Sequence, residues 1–156
     1  MIIETNSYPR AAVIGNPSDG YFGKTIAFVF SNFKATVQLY QTPELEIKPE
    51  RLDVTHFISI KELVEDVNHA GYYGGMRLIK GVIKVFYEYS LKNNIKLANK
   101  NFTIRYSSNI PLRLGLAGSS AIISACLKAI CLFYEVYIPL LCLVILEYRL
   151  FRLKRE

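Results

Sequence analysis

Short β-branched and aromatic runs dominate the first part of the chain, and longer stretches with helical spacing dominate the second. Residues 11–14 form an apolar strand pattern that stops abruptly at Gly15, Asn16, Pro17, Ser18 and Asp19, a cluster of turn formers. Residues 25–30 and 34–40 are two further strand patterns separated by Ser31, Asn32 and Phe33, a spacing that predicts a hairpin. Residues 45–48 add a short edge strand, and the alternation of Phe102, Ile104 and Tyr106 predicts another strand. Helical spacing begins at Ser59, which forms a capping box with Glu62. Ile60, Leu63, Val64 and Val67 then share one face of a short helix ending near Gly71. Residues 75–93 place Leu78, Ile79, Val82, Ile83, Phe86 and Tyr89 on one stripe. Residues 119–134, with Ile122, Ile123, Ala125, Cys126, Ala129, Ile130 and Phe133, read as a deeply buried helix. Strands first and helices afterwards indicate an α+β domain.

The chain has 156 residues, of which 51% are hydrophobic, enough for one domain with its own core. Its net charge of +6 could draw an anionic partner, but the 19 basic residues are spread along the sequence and form no basic-aromatic motif. Nucleic acid is therefore not an expected partner. Cys126, Cys131 and Cys142 lack paired spacing and sit among apolar residues, which predicts buried free thiols and a reducing compartment. The first residues carry no secretory pattern, so the expected localisation is cytoplasmic. Residues 138–146 are apolar but too few to cross a bilayer, and no membrane partner is expected. With only His56 and His69 there is little material for a zinc site or a histidine-based triad.

The chemistry concentrates in Asn109-Ile-Pro-Leu-Arg-Leu-Gly-Leu-Ala-Gly-Ser-Ser-Ala121. This small-residue loop joins the strand around residue 104 to the helix beginning near Ser119, and free N–H groups at a helix start attract phosphate. Gly115 and Gly118 let backbone approach a ligand, while Ser119 or Ser120 can cap the helix or reach a Mg²⁺. It is not a Walker A loop, because no lysine follows Gly118. The early turn formers Gly15 to Asp19 suit either an Asx-type turn or a ligand loop.

The loop resembles the phosphate loop of the GHMP kinases. Ala12-Val-Ile-Gly-Asn-Pro-Ser-Asp-Gly-Tyr-Phe-Gly-Lys-Thr-Ile26, Gly71-Tyr-Tyr-Gly-Gly-Met-Arg-Leu78 and Asn101-Phe-Thr-Ile104 resemble the plant-type glucuronokinase branch of that family. The resemblance implies the N-terminal domain of the GHMP kinase fold, a mixed sheet with helices packed on one side. Residues 1–136 would form that ATP-binding domain, and 137–156 a non-homologous apolar and basic tail. It further implies ATP bound by Pro111, Gly115, Leu116, Ala117, Gly118, Ser119, Ser120 and Ala121, with Ser120 also at Mg²⁺. Arg10, Asn16 and Asp19 would face the acceptor, an arginine suiting a uronate because its planar fork pairs with a carboxylate. The implied reaction moves the ATP γ-phosphate to the anomeric hydroxyl of D-glucuronate, giving 1-phospho-glucuronate. Another sugar or a small alcohol is the alternative acceptor. No Asp follows Asp66, so the family's catalytic aspartate is absent. The expectation is thus a chain truncated relative to its family and catalytically silent, or a non-catalytic isoform.

Overall fold

The computed structural model describes residues 2–16, 22–48 and 75–139. The expected helix at 59–71, the residues Asp19, Tyr72 and Tyr73, both histidines, Cys142 and the stretch from 140 onward lie outside the described residues. Eight elements follow in order: β1 (Ile2–Ser7), β2 (Arg10–Ile14), β3 (Ile26–Val29), β4 (Ala35–Thr42), β5 (Glu46–Lys48), α1 (Gly75–Lys92), β6 (Asn101–Ser108) and α2 (Gly118–Tyr134).

Strict alternation builds the main sheet. In β4, Ala35, Val37 and Leu39 are fully buried, while between them Thr36 is half-buried and Gln38 exposed. β6 pairs with β4 antiparallel, so that Leu39 lies opposite Ile104 and Val37 opposite Tyr106. Period-2 side chains on paired strands thus present one continuous apolar face. β1 joins the other edge of β4 antiparallel, and β5 lies parallel to β6, giving a mixed sheet of order β1-β4-β6-β5.

Both helices cover that apolar face. α2 packs on β1 and β4, and α1 packs on α2 and reaches β5. Phe102, Ile104, Val37 and Leu39 from the sheet meet Ile79, Val82 and Phe86 of α1 and Ile123, Cys126, Ile130 and Phe133 of α2 in one core. The Thr5 hydroxyl donates to the Ala125 carbonyl at 2.7 Å, which fixes α2 along the β1 edge. On the opposite face Thr103 is buried, and its hydroxyl is satisfied by Thr42 at 3.0 Å and the Glu46 carboxylate at 3.3 Å. This is the expected α+β fold, a mixed sheet with helices on one side.

The predicted hairpin of 25–30 with 34–40 does not form. β3 pairs instead with β2 in a separate two-stranded sheet, while β4 pairs with β1 and β6. Local spacing suggested the hairpin, but only β4 carries an alternating buried face. All four residues of β3 are exposed, so the two segments serve different sheets.

Candidate active site

The small-residue loop runs from the end of β6 to the start of α2 and is held at both ends. At its first end, the Lys34 N–H donates to the Asn109 side-chain oxygen at 2.7 Å, and the Asn109 N–H returns a bond to the Lys34 carbonyl at 3.3 Å. Ile110 then buries its side chain against Ala35 and Ala121, with Phe33, Leu116 and Ile122 packed around them. At the far end the Arg10 N–H donates to the Leu116 carbonyl at 3.2 Å. Between these anchors the crest is open to solvent, with Leu112 76% and Leu114 66% exposed.

The turn into α2 is sharp. Positive φ occurs at Arg113 (63°), Gly115 (70°) and Ala117 (55°). Ala117 is the N-cap residue in left-handed conformation, and no side chain caps the helix there. The expected capping by Ser119 or Ser120 is therefore not found, because the helix starts at Gly118 and both serines already lie inside its first turn. The first helical bond runs from the Ala121 N–H to the Ala117 carbonyl at 3.1 Å. The amides of Gly118, Ser119 and Ser120 precede it and have no acceptor within the helix. Gly118 itself has no positive φ, and a Cβ built on it would only touch Ile110 at 3.4 Å. The left-handed backbone of this turn lies at Gly115 and Ala117.

The bond from Arg10 also draws the second motif to the loop. β2 leaves Arg10 along the loop, and Ala11, Ala12, Val13, Ile14, Gly15 and Asn16 form one wall of a cleft of about 260 Å³. Leu114, Gly115 and Leu116 form the other. Of the expected acceptor residues, Asn16 lines this cleft, while half-buried Arg10 is outside its lining and is tied to the loop through its backbone N–H. Among the expected nucleotide residues, Gly115 and Leu116 line it, whereas Pro111, Ala117, Gly118, Ser119, Ser120 and Ala121 are outside its lining. Ala121 is buried in the small cluster beneath the loop.

The β2–β3 hairpin is joined to the loop's support through aromatic rings. Phe28 meets Phe30 at 5.8 Å between centroids, and Phe30 meets Phe33 edge-on at 6.3 Å. Sequence reading placed Asn109 in the loop but missed its partner Lys34, and Phe33, as parts of this site. Their functional signal is a set of contacts between residues up to 75 positions apart, which no local pattern encodes.

Comparison with known proteins bears on this geometry. Residues 77–150 match the family model of the GHMP kinases N terminal domain. Over 136 residues the chain is 46% identical to probable glucuronokinase 2 of Arabidopsis thaliana, and over 135 residues it is 44% identical to glucuronokinase 1 of the same plant. Each match takes in 86% of this chain and 37% of the relative. The chain carries a GHMP kinase N-terminal domain. It spans 37% of the length of these curated relatives. Among solved structures, the mevalonate kinase of Methanococcus jannaschii is 25% identical with a TM-score of 0.67, covering 96% of this chain and 45% of that one.

The thiols of this GHMP kinase domain lie away from the loop. Cys126 is fully buried and its thiol is pushed well above the ordinary range, first by burial and then by the neighbouring Cys131. Cys131, half-buried, is pushed up to about 11 by burial. Both are free, so they act as packed apolar groups. Among the described residues, no helix is long and apolar enough to cross a membrane, and no group of three or more His, Cys, Asp or Glu side chains gathers at one point.

Proposed function

We propose that this domain binds ATP at the 115–121 loop and a sugar uronate, D-glucuronate, in the adjoining cleft, as the N-terminal part of a sugar-1-kinase. The observation that carries this reading is the Arg10 to Leu116 bond, which sets the end of an acceptor strand against a loop whose crest and helix start are shaped for phosphate. The donor set fits the nucleotide. Three backbone amides at the α2 start lack helical acceptors, the helix dipole favours negative charge there, and neither a cap nor a lysine competes for the position. The Ser120 hydroxyl, half-buried in the first turn, suits Mg²⁺, a hard cation that takes oxygen ligands and keeps several waters. Bound there, the ion would neutralise charge on the phosphates. With no cluster of metal-ligating side chains among the described residues, phosphate oxygens and water would complete its shell.

In this reading Asn16 and Asp19 face the sugar hydroxyls and Arg10 faces the uronate carboxylate, where a guanidinium makes two parallel hydrogen bonds. Residues 1–136 make up the kinase domain and 137–156 a separate tail, and the intact reaction yields 1-phospho-glucuronate. Since no Asp follows Asp66, a base for the sugar hydroxyl is lacking in the second half of the chain, and this polypeptide is read as catalytically silent on its own. Cytoplasm is the proposed compartment. A second reading, a small alcohol in place of the uronate, draws on the likeness to mevalonate kinase.

Titration calorimetry of the chain with ATP, with and without Mg²⁺, and then with D-glucuronate, D-glucose, D-galactose and mevalonate tests both readings. The expected result is magnesium-dependent ATP binding and a preference for glucuronate. A preference for mevalonate selects the second reading, and failure of ATP to bind overturns both. Transfer of labelled γ-phosphate to glucuronate by the chain alone would overturn the silent reading.

A further inference from the structure

We infer that Thr25 is a positioning residue for the acceptor wall, its hydroxyl clamping the Gly15 carbonyl so that Asn16 is held at the cleft. The inference rests on the acceptor reading given above. Three features at the loop end of the β2–β3 hairpin point to it.

The first is a bulge. Ala12 pairs with Ala27 and Ile14 with Ile26, so β2 carries one extra residue, Val13, opposite its partner strand. A bulge of this kind raises the local twist and redirects the residues that follow, a device common beside binding sites. The second is Gly15, whose φ of 87° lies where side chains are strained. A Cβ there would run into the Lys24 carbonyl, so the two arms of the hairpin approach at this point more closely than any other residue type permits. The third is the bond itself. Thr25 Oγ1 donates to the Gly15 carbonyl at 2.9 Å, half-buried, one step beyond the last pair of the ladder between Ile14 and Ile26.

Together these features pinch the hairpin immediately before Asn16, the cleft residue at the end of the wall. The ladder has ended there and β3 is exposed along its whole length, so neighbouring packing does little to hold the direction of the chain. The Thr25 hydroxyl is therefore a local side-chain restraint on the chain direction at Asn16. Its loss would widen the range of positions of Asn16 without touching the phosphate loop, which keeps its own anchors at Lys34 and Arg10.

The experiment compares the full chain with Thr25→Val, which keeps the shape and removes the hydroxyl, and Thr25→Ser, which restores it. Glucuronate affinity, ATP affinity, melting temperature and amide exchange at Asn16 are measured for each. One hydrogen bond's net worth predicts a loss of about tenfold in glucuronate affinity for Thr25→Val, and faster Asn16 exchange. ATP affinity and melting temperature should be unchanged and Thr25→Ser close to the parent. Equal loss of both ligands, or a fall in melting temperature that Thr25→Ser does not rescue, marks Thr25 as merely structural and overturns the inference. So does an Asn16 exchange rate that is the same in the parent and Thr25→Val. If the parent binds ATP but no uronate, the acceptor reading falls, and the exchange measurement still decides whether Thr25 holds Asn16.

Discussion

The two sheets of this domain are built from similar residue types and do opposite things with them. In the four-stranded sheet, Val37, Leu39, Phe102 and Ile104 face two helices and are almost wholly buried. In the β2–β3 hairpin, Val13 is 66%, Phe28 53% and Val29 67% exposed. The first sheet has covered its apolar face and carries the fold. The second has not, and is joined to the rest by a few directed contacts, the Arg10 to Leu116 bond and the chain of rings from Phe28 to Phe33. In the proposed reading stability and ligand geometry are thereby lodged in different places, since burial scales with apolar area while orientation depends on a small number of hydrogen bonds.

Large-to-small substitution tests that separation most severely. Leu39→Ala should cost about 2–5 kcal/mol in denaturant unfolding, because a fully buried side chain leaves a cavity between the sheet and α2. Val29→Thr in the hairpin should stay within about 0.5 kcal/mol, as expected for an exposed position. Similar losses from both would erase the distinction between the sheets.

Next in size, Gly15→Ala should cost about 1–3 kcal/mol through backbone strain at positive φ and collision with Lys24. The loss should show as faster amide exchange confined to the hairpin. Exchange that accelerates equally in β4 and β6 would mean that the two sheets unfold as one unit.

The loop is where the two halves meet, and there stability and binding should part. Ser120→Ala should weaken magnesium-dependent ATP binding by about tenfold, the worth of one oxygen contact, with an unchanged melting temperature. Equal affinities in calorimetry would remove Ser120 from the metal. Gly118→Ala sharpens the point, because a helical glycine with room for a methyl should gain up to about 1 kcal/mol of stability on replacement while nucleotide binding falls. A stability gain with unaltered ATP affinity would move the phosphate away from the α2 start.

The smallest effect is alkaline. Cys126 and Cys131 both lie in α2, and burial raises both thiols above the ordinary value of 9.0. The folded chain keeps these protons while the unfolded chain releases them, so stability falls as pH rises from 9 towards 11 and is insensitive to these thiols below 8. Thermal melts at pH 7, 9 and 10.5 check the direction, and Cys126→Ala should flatten the decline. A decline centred on the hairpin amides, with α2 unaffected, would contradict the assignment.

Much of this was legible locally. Alternation over a few residues was enough for β4 and β6, and the stripe through Leu78, Ile79, Val82 and Phe86 for α1, because side chains repeat every two or 3.6 positions whatever the partner. The loop-to-helix junction at residues 115–120 was also visible, since small residues before an apolar helix leave amides free wherever they occur. Residue type and spacing thus determined most of the elements, though not β1, together with the α+β class and the place where a small-residue loop meets a helix start. Tertiary structure alone decided that β3 belongs with β2 and not with β4. It also decided that Ala117 and not a serine begins α2, that Lys34 and Asn109 anchor the loop, and that Asn16 meets Leu116 across one cleft. These are pairings between distant residues, chosen by which apolar faces remained to be covered and which polar groups remained to be bonded once the main sheet had formed.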